Sequence, residues 1–355
     1  MENRNLTWEK SDQYDLGVDM DLLEYRLKFK LDYYYKYTKA KLWQVTLPGT
    51  VYFHTSMWDN AMEISNEGLE LETQFDILRE TAVSWRLRFN ISRNWNRLEK
   101  TYTGVDVDGK YVIGRSANEL QVYRDLGYVQ NADEVPITWD QKGNPRKLGS
   151  GGMAMPTREG MHHIADLNGD GVIDVNDATY IGFPTTPRLI YGFSAFFNLK
   201  DFELSFAFQG AGKRAFFMDP MKISPFVKNR AMLKAIYDDH WNENNMKERP
   251  FWPRLSTQSI DAHNPQENWK NNAEIRKSTY FMRESSFLRC TSIEVAYNVP
   301  QDFLSKIKMQ NVKFYARVNN PFLISSFKIW DVELGDSGFN YPIQRTWSVG
   351  LNISF

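Results

Sequence analysis

The sequence predicts an all-β chain, one part of an antiparallel, up-and-down transmembrane β-barrel. Three observations predict it. Apolar residues alternate with polar ones over long stretches, the connections between those stretches alternate short and long, and the aromatic load is heavy for so polar a chain. Of 355 residues 42% are hydrophobic, and 23 Phe, 18 Tyr and 11 Trp make 15% aromatic, yet the mean hydropathy is −0.53.

The alternation is clearest near the start. Tyr14, Leu16, Val18, Met20 and Leu22 are interleaved with Gln13, Asp15, Gly17, Asp19 and Asp21. Tyr25, Leu27, Phe29, Leu31, Tyr33, Tyr35 and Tyr37 are interleaved with Arg26, Lys28, Lys30, Asp32, Tyr34 and Lys36. A helix would scatter these charges around its circumference, whereas a strand places each set on one face. The same rule covers Leu69/Leu71/Phe75/Ile77, Trp85/Leu87/Phe89/Ile91, Phe202/Leu204/Phe206/Phe208, Val312/Phe314/Ala316/Val318 and the closing Trp347/Val349/Leu351/Ile353/Phe355. Strands are therefore expected near 11–22, 25–37, 65–77, 83–96, 188–198, 202–210, 286–298, 311–322 and 345–355. The connections 23–24, 78–82, 199–201 and 299–310 are short or modest, while 38–64, 97–187, 211–285 and 323–344 are long. Long loops at one end and short turns at the other suit a membrane barrel with extracellular loops and periplasmic turns. A soluble sandwich with crossed connections has no reason to keep that order. Charges such as Glu70, Glu72, Arg86 and Arg88 then face a wet lumen, and many rings sit at the membrane interfaces.

Composition narrows the rest. With 43 Lys+Arg against 44 Asp+Glu the formal net charge is −1, which disfavours a nucleic-acid binder working through a basic surface. No apolar run approaches the roughly 20 residues of a membrane helix. Cys290 is alone, so no internal disulfide is expected. The opening Met1-Glu2-Asn3-Arg4 has neither the basic nor the apolar segment of a signal peptide, so the chain reads as cytoplasmic or as the downstream part of something longer.

One loop carries a specific motif. Asp166-Leu-Asn168-Gly-Asp170-Gly171-Val172-Ile173-Asp174 through Asp177 follows the spacing of a calcium loop, with oxygen ligands at alternate positions, a glycine at the sharp turn and a backbone carbonyl after it. The expected Ca2+ ligands are Asp166, Asn168, Asp170, Val172, Asp174 and Asp177. Asp177 stands where a longer Glu is usual, and an Asx-rich turn closed by its own hydrogen bonds is the alternative. No enzyme is expected. His162 and His163 are adjacent and point apart, Asp238-Asp239-His240 has no nucleophile beside it, and Gly210-Ala-Gly212-Lys213-Arg214 lacks the first glycine and the Ser/Thr of a phosphate loop. Trp43, Trp58, Trp139, Trp241, Trp252, Trp269 and Trp330 fall in the long loops. They are candidates for contact with substrate or a partner, with packing inside the loops as the plainer alternative.

Taken in order, these segments resemble the SusC/RagA family of TonB-dependent outer-membrane transporters. The resemblance runs through Asn5-Leu-Thr-Trp8-Glu9, Ser65-Asn-Glu-Gly68-Leu-Glu70, Trp85 to Asn90-Ile-Ser92, the Asp166–Gly171 motif with Ile181-Gly182 and Pro187, and Asp239-His-Trp241. It continues through Ser286-Phe-Leu-Arg289, Asn319-Asn-Pro-Phe322, Tyr341-Pro-Ile-Gln-Arg-Thr346 and Gly350-Leu-Asn-Ile-Ser-Phe355. It covers essentially all of 1–355, but only the C-terminal barrel portion of a family member. The resemblance implies a barrel of about 22 strands filled by a plug, located in the cell outer membrane among its lipids. It also implies a SusD-like lipoprotein partner, import of oligosaccharides or peptides, and energy supplied by TonB through an N-terminal region not seen here. With an odd number of strands and no plug, the chain alone is expected to leave two open edges and not to transport. The alternative function is a soluble calcium-dependent carbohydrate-binding β-protein.

Overall fold

A computed structural model describes the chain apart from residues 1–2, 4, 47–55, 80–81, 102–112, 118, 132, 134–136, 140–144, 148–158, 161, 170–176, 181–182, 227–230, 248, 256–276 and 337. Nine long strands form one sheet: β1 (Lys10–Leu22), β2 (Leu27–Thr46), β3 (Ser56–Arg79), β4 (Val83–Lys100), β5 (Leu189–Leu199), β6 (Phe202–Gly212), β7 (Phe287–Asn298), β8 (Asn311–Ser325) and β9 (Thr346–Ser354). Each pairs antiparallel with its sequence neighbours, from β1 at one edge to β9 at the other. The sheet is thus an open meander, all-β as expected, with the outer side of each edge strand unpaired among the described residues.

The register aligns the apolar faces of successive strands. Leu16 lies opposite Tyr33, Val18 opposite Leu31 and Met20 opposite Phe29. Leu31 then meets Leu71, Leu71 meets Ile91, and Phe89 meets Phe193. This face lies open, with Leu16 at 71% and Val349 at 88% exposure. In a sandwich these residues would be the core, so their exposure excludes that architecture and leaves a lipid-facing surface. From Leu22 to Tyr14 the band runs about 27 Å along the strand at 3.4 Å per residue. Tilted by about 45°, that rises about 19 Å, most of the roughly 25 Å apolar belt of an outer-membrane barrel.

The opposite face is polar and knitted by cross-strand pairs. Lys313 Nζ reaches Glu203 at 2.5 Å, Arg86 Nε reaches Asp76 at 2.6 Å, and Arg317 pairs with Glu294. Tyr34 lies directly opposite Gly68, where a Cβ would come within 2.4 Å of its ring. Only glycine lets that ring lie flat on the neighbouring strand.

The structure corrects the expected loop at 38–64. β2 continues to Thr46 and β3 begins at Ser56, so most of that span is strand. The pairing shifts between Thr38 and Lys41, where Ala40 takes a left-handed conformation with φ 54°. This bulge resets which side chains share a face. The alternation that identifies residues 25–37 therefore breaks at that point, although the strand does not.

Candidate functional site

Because the meander puts every second connection at the same end, the described parts of the segments between β4 and β5, β6 and β7, and β8 and β9 gather over one rim. There they build the molecule's main apolar core. Tyr123, Tyr128, Ile164, Met218, Ile236, Trp241, Trp252, Tyr280, Phe281 and Phe327 are buried together, joined by Ala211 and Phe287 from the sheet itself. Short ladders hold the layer: 121–123 pairs with 178–180, 125–128 with 162–164, and 215–217 with 282–284. None of these short ladder strands shows an amphipathic period, because each supplies at most two buried side chains.

The loop core includes a buried polar centre. His162 Nδ1 lies 2.8 Å from Asp125 Oδ2, and both side chains are fully buried. Their setting is aromatic, with the His162 ring 4.6 Å from Tyr128 and 4.4 Å from Tyr280 between centroids. Burial, together with the nearby tyrosine and Asp125, holds the Tyr128 phenol well above its ordinary pKa, and burial raises Tyr280 as well. Both therefore stay neutral at physiological pH. Arg249 donates to the Asp125 carbonyl at 3.2 Å, so three distant loop segments meet at this aspartate. The His162–Asp125 pair cross-links two loop segments.

Two further anchors tie the 326–340 segment to the rim. Arg289 on β7 donates to Asp331 at 2.6 and 2.7 Å and also pairs with Glu333, while Lys222 pairs with Asp336 at 2.7 Å. Asp239, from the Asp-Asp-His cluster, is likewise structural. Burial works against its charge, but donors from Lys247, Asn245 and the Phe251 amide outweigh burial and hold the carboxyl below its ordinary pKa.

The candidate tryptophans divide by environment. Trp241 and Trp252 are 2% and 1% exposed and belong to the loop core, so they present no face to a ligand. Trp330 packs against that core and Trp43 against a smaller one formed by Val45, Ala61, Met62, Ile64 and Leu98. Trp58 is exposed. The Trp139 side chain and Trp269 lie outside the described residues.

Of the candidate calcium ligands, Asp170, Val172 and Asp174 also lie outside them. Asp166 Oδ1 accepts from the Gly169 amide at 2.7 Å. The fully buried Asp177 accepts from the amides of Leu167 and Asn168 at 2.7 and 3.4 Å. The last acidic residue of the motif is thereby folded back onto the start of the loop. Among the described residues no group of three His, Cys, Asp or Glu side chains is placed to hold a metal ion.

An open strand meander with a lipid-facing apolar belt, a charged opposite face and a folded loop layer over one rim defines the wall of a transmembrane β-barrel. The chain belongs to the family described as TonB dependent receptor-like, beta-barrel, whose profile matches residues 1–217, a family of the outer membrane. It is 26% identical over 374 residues to the TonB-dependent receptor P26 of Formosa agariphila, covering 99% of this chain and 35% of that protein. It is also 26% identical over 374 residues to the TonB-dependent receptor SusC of Bacteroides thetaiotaomicron, covering 99% of this chain and 32% of that one. Among solved structures it shares the fold of the RagAB peptide transporter, with a TM-score of 0.71 at 18% identity over 100% of this chain and 36% of the other. The chain thus spans about a third of the length of these relatives.

Proposed function

We propose that this chain is the C-terminal wall of a TonB-dependent importer of oligosaccharides or peptides. In this reading β1–β9 cross the outer membrane, the charged face lines the lumen, and the loop layer receives substrate and contacts a SusD-like lipoprotein. Coupling to TonB would come from a region beyond this chain. The observation that carries the reading is the conjunction of one continuous lipid-facing belt with an oppositely facing charged surface that has no dry core behind it. That arrangement has a use only where one side is hydrocarbon and the other water. Family membership and the shared fold with the RagAB peptide transporter support it.

The test is partitioning. The chain should fractionate with outer membranes, require detergent for extraction and insert into lipid vesicles with protease-resistant strands. Recovery as a folded monomer in detergent-free buffer would favour the soluble alternative instead. We propose in addition that the 166–177 loop binds Ca2+, on the strength of its oxygen-ligand spacing and the closure made by Asp177. Calorimetry should give saturable heat with calcium that Asp170→Ala abolishes; no heat, or equal heat from the variant, removes the proposal.

A further inference from the structure

We propose that the polar face carries, at the loop end of β2–β4, a subsite for an acidic sugar residue of the uronate type. The inference rests on the import reading, since it places the subsite on the lumen wall that an imported solute would pass.

The site is a cavity of about 300 Å3, at the lower end of the range for small-molecule pockets. Its geometry follows from the bulge in β2. Beyond Ala40 the strand presents Lys41 and Trp43 to the polar face, opposite Met62 and beside Ile64 and Asn66 of β3. Asn96 of β4 closes the third side. The roof is the 114–117 segment, which is fastened to β4: the Ala117 amide donates to Asn96 Oδ1 at 2.9 Å, Leu98 N to the Arg115 carbonyl at 2.8 Å, and Gly114 N to the Leu98 carbonyl at 2.8 Å. The cavity therefore has a backbone-anchored lid and walls on three strands.

Its chemistry is asymmetric. Trp43, Met62 and Ile64 form an apolar side, suited to the C–H face of a sugar ring. On the polar side Asn96 is already committed, with its Oδ1 taking the roof amide and its Nδ2 donating to Asn66 Oδ1 at 2.7 Å. The Thr38 hydroxyl is paired with Ser11 Oγ at 3.0 Å, so the groups these residues chiefly leave for a ligand are the Asn66 amide N–H and the Lys41 ammonium. Among the described residues Lys41 makes no ion pair, and no carboxylate lines the cavity. A wall that offers donors and one positive charge selects an anion rich in acceptors. Sugar hydroxyls can turn to accept from these donors, and peptide carbonyls accept as well, but a peptide backbone has no C–H ring face to lay on Trp43. A ring bearing a carboxylate satisfies both sides at once: carboxylate on Lys41 and Asn66, ring face on Trp43.

The experiment is calorimetry on the full chain in detergent micelles, with digalacturonate, lactose and dialanine as probes. Digalacturonate should bind saturably, about tenfold tighter than lactose, the worth of one charge-assisted contact. Lys41→Met should remove that advantage and leave lactose unchanged, Lys41→Arg should retain it, and Trp43→Ala should weaken both sugars while Trp43→Phe keeps them. Unaltered digalacturonate binding in Lys41→Met, dialanine binding as tightly as the uronate, or no saturable heat with the uronate would each overturn the subsite. Uptake by cells carrying the wall within a complete receptor separates the two readings. Binding without uptake removes the import reading and keeps the subsite; uptake indifferent to Lys41→Met removes the subsite alone.

Discussion

The strand wall and the loop layer share one chain but are stabilised by different means. Apart from the small cluster at the loop end of β2–β4, the wall contributes little to the main core; its backbone groups are satisfied by cross-strand ladders, which is the requirement hydrocarbon imposes. The loop layer has few ladders and is held by side chains, namely a packed aromatic core, the buried His162–Asp125 pair and the Arg289 clamp. Backbone strain follows the same division. Among the described residues every left-handed glycine lies in the long loops, at Gly114, Gly127, Gly160, Gly169, Gly335 and Gly338. Left-handed residues with side chains fall mainly in the wall and its tight turns, such as Leu23, Glu24, Tyr25, Ala40, Lys200 and Asn320. A ladder fixes the backbone on both sides of such a residue and tolerates its cost. A loop held by packing alone relies on glycine, as at Gly160, where a Cβ would come within 2.5 Å of the Trp241 ring.

If the two regions are separately stabilised, a change in one should leave the other standing. The largest effect is expected from Trp252→Ala, which empties a site 1% exposed in the loop core, a truncation worth about 3–5 kcal/mol. The loops should become sensitive to protease while the β-sheet signal of the membrane-inserted wall persists. Joint loss of both would break the distinction. Next comes Leu71→Arg, placed in the middle of the belt between Leu31 and Ile91. An arginine near the bilayer midplane costs about 2–4 kcal/mol, read as lost vesicle insertion, with the loop layer untouched. Its control is Gln13→Lys on the polar face of β1, expected to stay within about 0.5 kcal/mol; equal damage from both would mean the face assignment is wrong.

The same division explains what was legible in the sequence. The wall was readable because a strand between lipid and water must alternate, so Tyr14 to Leu22 and Trp347 to Phe355 declare both structure and environment. It became unreadable at Ala40, where the bulge resets the faces. The loop core was not readable: Tyr128, His162 and Tyr280 meet across more than a hundred residues of chain, and no local pattern marks such partners. Trp241 and Trp252 could not be told apart from contact residues, although loop packing was the plainer reading, because rings in polar loops carry no sign of what they pack on. The spacing of the 166–177 motif was readable, and Asp177 folds back onto the Leu167 amide, as it also would in an Asx-rich turn closed by its own hydrogen bonds. The cavity beside Lys41 could not be read, because it exists only through the bulge.

A smaller effect separates the regions by pH. Asp239 has its pKa lowered in the folded loops, so its ionised form contributes stability above the ordinary carboxylate value of about 3.9. That contribution is lost as pH falls through the lowered folded value. The protection factors of the Trp241 and Trp252 amides, which close a bridge around Asp239, should fall below about pH 4, and more in wild type than in Asp239→Asn. Exchange in the wall is the internal reference.

The smallest test addresses strain in the wall itself. Leu23, Glu24 and Tyr25 are consecutive and left-handed, with φ of 53°, 57° and 62°. Arg79 holds the turn by donating to the Glu24 and Tyr25 carbonyls, and Arg26 holds it from Asp76. Each left-handed side chain costs about 1–2 kcal/mol. Glu24→Gly removes one such cost, but the freer unfolded chain takes back about 0.4–1 kcal/mol. A net gain of about 0.5–1 kcal/mol is therefore expected in urea unfolding from vesicles. Because the Arg79 contact is to the backbone, glycine keeps it, and Arg79→Ala should instead destabilise the turn. If Glu24→Gly destabilised as much as Arg79→Ala, the turn would be held by the Glu24 side chain, and strain tolerated by ladders would no longer account for the wall's left-handed residues.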